Sequence, residues 1–288
     1  MNAARGLFRP GTVEDAVALL ARLPEAKLIS GGATLVAMIN ARLVEPKALV
    51  SLAAIDELRG IGALPDGGFR LGAMTRHCDV VAETRFTGTL ASVTEAASVI
   101  ANATVRNMGT IGGAIAHADP GLDYPPALVA AGAQIEIAST AGRRSVAAAE
   151  FFLDWYTTAL ESGELVSAVT LPAAQTGVGL YHKFARVEGD YATASVALTM
   201  VGSGGGIVTR VAIGACGPTP IFLEEANRLL SGNPREKDVQ RAGELLTASA
   251  DPVDDVRGTA EYRRMLIPRM LGRAFAEARA GLEQADER

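Results

Sequence analysis

The sequence predicts an α+β protein of two domains, and three observations carry that expectation. Through about residue 175, short apolar strand patterns alternate with helical ones. From about 177, three strand patterns follow one another with no helix between them. After Pro220 the chain reads as helix to its end. A length of 288 residues allows two cores, and 49% hydrophobic with 20% charged residues is ordinary for a globular chain.

The first α/β subdomain is expected over about 1–57. Thr12 reads as an N-cap with Asp15 three residues on, and Val13, Ala16, Val17, Leu20 and Leu23 then mark one helical face. "AKLIS" reads as a short buried strand, 34–43 as a helix ended by Pro46, and "ALVSL" as the next strand. A second subdomain is expected over 58–175. "GGFRLGAMT" is a strand leading to a helix at 77–83, followed by helices at 90–100 and 122–131. "AQIEIAS" alternates as a strand, "AAAEFFL" is a short helix, and "GELVSAVTLP" is a strand closed by Pro172.

The C-terminal domain is expected over 176–288. Its strands are "YHKFARV", "TASVALTMV" and "IVTRVAIGAC", with "SGGG" at 203–206 as a hairpin turn. Helices follow at 223–230, at 237–250 and from Thr259 onward, with Pro268 expected to kink or restart the last.

Composition excludes several classes of function. A net charge of -5 argues against a nucleic-acid surface. No apolar run is long enough to cross a bilayer, and the N-terminal "MNAARGLFRPGTVEDAV" lacks the apolar stretch of a secretory leader, so a cytoplasmic location is expected. Cys78 and Cys216 form no C-x-x-C pair, so this chain holds no iron–sulfur cluster by itself. His77, His117 and His182 are not spaced as zinc ligands.

Two segments point to chemistry. "ISGGATLVAMIN" and "TVRNMGTIGGAIAHADPGLDYP" each carry a paired glycine, Gly31–Gly32 and Gly112–Gly113, with a hydroxyl nearby, Thr34 and Thr110. Neither holds a lysine or arginine beside the glycines. Closely spaced backbone N–H groups with no Cβ in the way form a concavity for an anion, and a following helix adds partial positive charge. Two such loops facing each other suit a diphosphate, hence a dinucleotide. Neither segment is a G-x-G-x-x-G fingerprint. Arg106 is expected to organise its own loop through carbonyls, His117 to be a hydrogen-bonded structural residue, and both cysteines to be buried and inert.

Taken in order, "SGGATL", "VRNMGTIGGAIAHADPGLDYP" and "KFARVEGDYA" resemble the FAD-binding medium subunit of the molybdenum hydroxylases, the carbon monoxide dehydrogenase and xanthine dehydrogenase family. The resemblance covers nearly the whole chain. It implies a vanillyl-alcohol-oxidase-type (PCMH) FAD-binding domain of two α/β subdomains, then a three-stranded antiparallel sheet with a helical bundle. It places the FAD diphosphate between Ser30, Gly31, Gly32, Ala33, Thr34 and Leu35 on one side and Thr110, Ile111, Gly112 and Gly113 on the other. It puts Asp123 near the adenosine ribose, Val166 by the adenine, Lys183 close to the flavin ring and Tyr191 over the isoalloxazine. The chain departs from commoner relatives in having Ala33–Thr34 in place of a glutamine–serine pair, and Met108 in place of an arginine.

The function implied is an electron-transfer subunit with no catalytic side chain of its own. A small subunit with two [2Fe–2S] clusters would feed FAD, and a large subunit with the molybdenum cofactor would oxidise the substrate, the whole as a dimer of heterotrimers. Two rivals stand beside it: a stand-alone FAD-dependent reductase of the same fold, and a flavin-free docking subunit.

Overall fold

The structure is a computed structural model and describes residues 6–286. The expectations of no secretory leader and of a helix to the chain end fall in part on residues 1–5 and 287–288, which lie outside the described residues.

The first subdomain is a three-stranded parallel sheet. The strand Ala48–Ser51 lies between Gly6–Phe8 and Ala26–Ile29. The crossover helix Val13–Arg22 starts where Thr12 Oγ1 accepts the Asp15 amide at 3.1 Å, and it buries Val13, Ala16 and Val17. The strand Ala26–Ile29 is only half-buried, unlike the expectation for "AKLIS". It is an edge strand, and several of its residues line an open cavity. The helix expected over 34–43 is the shorter Leu35–Asn40.

The second subdomain is a five-stranded antiparallel sheet in the order Ile61–Ala63, Phe69–Gly72, Leu165–Leu171, Gln134–Ser139, Gly142–Ala147. Between Gly72 and Gln134 the chain makes the helices His77–Val81, Ala91–Ser98, Ala103–Met108, Ile111–His117 and Tyr124–Ala131. The glycine pair Gly112–Gly113 is thus the first turn of a helix, where the sequence pattern had suggested a free loop.

The strands Val178–Phe184, Ala194–Ser203 and Gly206–Gly214 form an antiparallel meander, with a two-residue turn at Gly204–Gly205. Alternation gives this sheet two buried faces. Val196, Leu198, Met200, Val211 and Ile213 join the core under the C-terminal helices, while Tyr181, Ala197 and Ala212 join the core of the first domain. The element between them is Tyr124–Ala131, all eight of whose residues are buried. Burying Leu128 or Val129 in this way contributes about 1.5–3 kcal/mol each, so the helix ties the two cores together.

The last helix, Ala260–Asp286, runs through Pro268 without the expected restart. Pro268 packs against Gly243 of the neighbouring helix Glu236–Ala248, and this tertiary contact holds the turn that the proline would otherwise release.

Candidate functional site

The two glycine segments meet. Ser30 Oγ lies 2.6 Å from Thr110 Oγ1, and a Cβ at Gly31 would collide with the Met108 carbonyl oxygen. Gly31 is therefore glycine because another backbone passes against it. Gly32 is glycine for a different reason, a φ of +78° that L side chains rarely adopt. A Cβ at Gly112 would strike Ala73, whereas a Cβ at Gly113 would find its nearest neighbours at 3.0 Å (Thr110 Oγ1) and 3.6 Å (Ser30 Cβ).

The two segments do not offer the same groups. In the first, the amides of Gly31, Gly32, Ala33 and Thr34 donate to no protein acceptor among the described hydrogen bonds. The Thr34 hydroxyl makes no cap hydrogen bond to the helix it precedes. In the second, the amides are already engaged: Ile111 donates to Thr75 O, Gly112 to Ala73 O, and Gly113 to Thr110 Oγ1 at 3.2 Å. The symmetrical pair of amide cradles expected from the sequence is therefore corrected. One segment supplies free N–H groups; the other supplies a smooth wall and a hydroxyl. The helices behind them have six and seven residues, so individual N–H groups matter more here than a macrodipole.

Both segments face a cavity of about 960 Å³, near the top of the roughly 300–1,000 Å³ usual for cofactor sites. Ser30, Gly31, Gly32, Ala33, Thr34, Leu35, Thr110, Gly112, Gly113, Asp123, Val166, Lys183 and Tyr191 all line it. Ile111 does not: its side chain is fully buried in the first core.

One relation departs from expectation. The resemblance sets Asp123 by the adenosine ribose and Lys183 by the flavin ring, yet Lys183 Nζ lies 3.1 Å from Asp123 Oδ2 and both side chains are more than nine-tenths buried. The two act as one neutral pair on one stretch of wall. Lys183 Nζ also donates to Val99 O at 3.1 Å, and the Tyr181 hydroxyl donates to Asp123 Oδ1 at 2.7 Å. Burial pushes the Asp123 carboxyl up, opposed by the Lys183 charge and by hydrogen bonds from Tyr181 and Lys183. Asp123 occupies the N-cap position of Tyr124–Ala131 but makes no cap bond, because both of its oxygens are spent on the neighbouring sheet.

Tyr191 lies at another part of the rim, with the Arg257 guanidinium 4.9 Å from its ring centroid. Arg106 donates to Ile100 O at 2.8 Å and Ala101 O at 3.2 Å, fixing its loop as expected. Those contacts hold Ala101, a cavity-lining residue with φ +42°. His117 forms no described side-chain hydrogen bond, contrary to its expected structural role; it lines the cavity with its ring 5.5 Å from that of Tyr156. Cys216 is buried, with a thiol pushed up to about 12 by burial, whereas Cys78 is only half-buried.

Sequence reasoning missed Tyr181 and His77. Tyr181 stands two residues before Lys183 on a strand, so period-two alternation puts both on one face, a signal present in "YHKF". His77 lines the cavity with its ring against Gly109 and is held by desolvation as the neutral imidazole, with a pKa near 4. No pattern in the sequence marks it.

Comparison with known proteins agrees with this geometry. Residues 2–174 match the family described as "FAD binding domain in molybdopterin dehydrogenase", and residues 179–278 match "CO dehydrogenase flavoprotein C-terminal domain". The chain is 38% identical to the carbon monoxide dehydrogenase medium chain of Afipia carboxidovorans, over 94% of this chain and 96% of that one. It is 31% identical to the nicotine 6-hydroxylase medium subunit of Paenarthrobacter nicotinovorans, over 94% and 96%. A solved structure of carbon monoxide dehydrogenase from Hydrogenophaga pseudoflava, which lacks the Mo-pyranopterin moiety of its cofactor, superposes with a TM-score of 0.92 at 38% identity, covering 96% of this chain and 97% of that one. The chain belongs to the FAD-binding medium subunits of the molybdenum hydroxylase family, the oxidoreductases that include carbon monoxide dehydrogenase and xanthine dehydrogenase.

Proposed function

We propose that this chain is the electron-relay subunit of a three-subunit molybdenum hydroxylase. A small subunit with two [2Fe–2S] clusters delivers electrons, a large subunit with the molybdenum cofactor oxidises the substrate, and two such trimers pair. FAD supplies the junction between one-electron and two-electron carriers.

The observation that carries the reading is the union of the two glycine segments at one cavity, with four free amides on one side and the Thr110 hydroxyl on the other. We assign Ser30 to Leu35 and Thr110 to Gly113 to the diphosphate, with Ile111 shaping the wall from the core. Free amides satisfy phosphate oxygens without a cationic side chain, so they hold FAD without pairing to its charge. Gly113 opens toward Ser30 and Thr110, the kind of cradle that a larger side chain would fill. Val166 closes the cavity from the sheet, and Tyr191 covers it at the rim. Lys183 keeps its ammonium at the wall because Asp123 compensates it, and Tyr181 fixes Asp123.

We divide the chain between residues 175 and 176: the first part carries both glycine segments, and the second braces them against Tyr124–Ala131 and adds Lys183 and Tyr191 to the cavity wall. The two free thiols fit a reducing compartment, and we place the protein in the cytoplasm. Among the described residues no helix is long and apolar enough to cross a membrane.

Co-expression of this chain with a large molybdenum-cofactor subunit and a small iron–sulfur subunit tests the reading. A yellow chain that co-purifies with red-brown partners, and whose flavin bleaches when the large subunit is given its substrate, supports it. A chain that purifies alone and reduces a substrate directly favours the stand-alone rival instead.

A further inference from the structure

Residues 73–77 run against 109–112 and fix them by main-chain bonds. His77 N donates to Gly109 O at 3.1 Å, Ile111 N to Thr75 O at 2.9 Å and Gly112 N to Ala73 O at 2.9 Å, with Arg76 bridged to Thr110. The His77 side chain follows the same seam. A Cβ at Gly109 would collide with His77 Nε2, so the imidazole fills the space that a side chain at 109 would need.

His77 is only 4% exposed, yet it lines the cavity. Its Nδ1 is enclosed without a hydrogen-bond partner, as is the hydroxyl of Tyr124, whose ring lies 5.4 Å from the imidazole. An enclosed polar atom without a partner costs stability, and leucine would fill much the same space without that cost. Packing alone therefore does not explain a histidine here. Its other nitrogen, Nε2, is not enclosed in this way and has no protein partner among the described hydrogen bonds. It lies beside Gly109, itself a cavity residue. Burial, with the Arg106 charge second, holds the ring neutral, so it carries a single N–H. On Nδ1 that N–H would be shut away from any acceptor, the costlier arrangement; on Nε2 it has access to the cavity.

We infer that His77 is a further binding residue for FAD: its Nε2–H donates a hydrogen bond to a diphosphate oxygen, beside the Thr110 hydroxyl. The inference deepens the cofactor assignment above and rests on it. Gly109 is then glycine so that the imidazole can reach past the main chain. The bond from His77 N to Gly109 O holds ring and hydroxyl in one frame.

Titration of the full apo-chain with FAD and, separately, with ADP, which carries the diphosphate without the flavin, tests this. His77→Leu removes both nitrogens. It should weaken both ligands by about 10- to 150-fold, the effect of losing one hydrogen bond to a charged acceptor, while the thermal midpoint without ligand at neutral pH is no lower than the parent's. His77→Gln and His77→Asn carry the test if leucine disturbs the packing. The glutamine amide reaches the Nε2 position, whereas that of asparagine stops at the Nδ1 position. Glutamine should keep both ligands within about threefold of parental affinity, and asparagine should lose them as leucine does. A merely structural role would move stability and affinity together and would not separate glutamine from asparagine. Equal FAD affinity for those two variants, or a leucine variant within about threefold of the parent, overturns the inference. So does ADP that fails to bind the parent, or that binds the leucine variant as tightly. A parent chain that binds ADP but not FAD is a different result: it refutes the cofactor assignment, and the inference with it.

Discussion

Gly113→Asp is the sharpest test of the diphosphate cradle. A Cβ at this position meets Thr110 Oγ1 at 3.0 Å and Ser30 Cβ at 3.6 Å, so the side chain enters the space between the two segments with only a slight adjustment. The fold should survive, as Gly113 lies in a helix and needs no positive φ. The carboxylate, however, faces the place assigned to the diphosphate. One negative charge about 4 Å from another, in surroundings of effective dielectric about 20, costs about 4 kcal/mol. That corresponds to roughly a thousandfold loss of FAD affinity. Gly113→Ala is the control: it adds the Cβ without the charge and should lose far less. Titration of each apo-chain with FAD, followed by flavin fluorescence, gives the affinities, and thermal unfolding without FAD confirms that both variants are folded. If Gly113→Asp keeps FAD at parental stoichiometry and within about threefold of parental affinity, the diphosphate does not lie here.

The other predictions concern the walls. Gly31→Ala drives a methyl group into the Met108 carbonyl and should cost about 3 kcal/mol or more of stability, with loss of FAD, read by chemical denaturation. Asp123→Asn leaves the Lys183 ammonium buried without its partner and should destabilise the chain by about 3–5 kcal/mol, while Asp123→Asn with Lys183→Met should recover most of that loss; a double variant no more stable than the single one refutes the pairing. The third prediction is a pH dependence. His77 falls from an ordinary 6.5 to about 4 in the folded chain, chiefly through desolvation and secondarily through Arg106. The unfolded chain therefore binds the extra proton between those values, and stability is lost as pH falls through that window. A gap of roughly 2.5 pH units at about 1.4 kcal/mol per unit gives about 3–4 kcal/mol, and His77→Gln should flatten this part of the stability–pH curve of the apo-chain.

Most of the architecture was legible because its signals are local. Thr12 caps its helix as read, the last two of the three C-terminal strands pair through the turn at Gly204–Gly205, and the alternation in "AQIEIAS" marks a strand that is buried at Ile135 and Ile137. The strand Gly142–Ala147 escaped notice because it is an exposed edge, and "GRRSVA" has no apolar period. The helix Ile111–His117 escaped because glycines in its first turn look like a loop until Ala73 is seen pressed against Gly112. Pro268 misled for the same reason: its partner Gly243 is distant in sequence.

The site shows the same limit in a more informative form. Paired glycines announced a close approach in both segments, but the sequence could not say what was approaching. At Gly31 it is the Met108 carbonyl, at Gly112 it is Ala73, and at Gly113 it is the Thr110 hydroxyl and Ser30, at 3.0 and 3.6 Å. The amide count divides the segments further, since those of 31–34 are free and those of 111–113 are spent. Two motifs that look alike as strings thus do different physical work, one presenting donors and the other holding them in place. The Asp123–Lys183 pair follows the same logic. Each residue alone reads as a charge aimed at a ligand, but together they cancel, with Tyr181 locking the carboxylate from behind. This stretch of the cavity wall is therefore close to neutral, and the grip it leaves for an anionic nucleotide lies in the free N–H groups of 31–34. On that basis, substitutions that reorient the backbone of 31–34 should be costlier to FAD retention than those that delete the Thr34 hydroxyl.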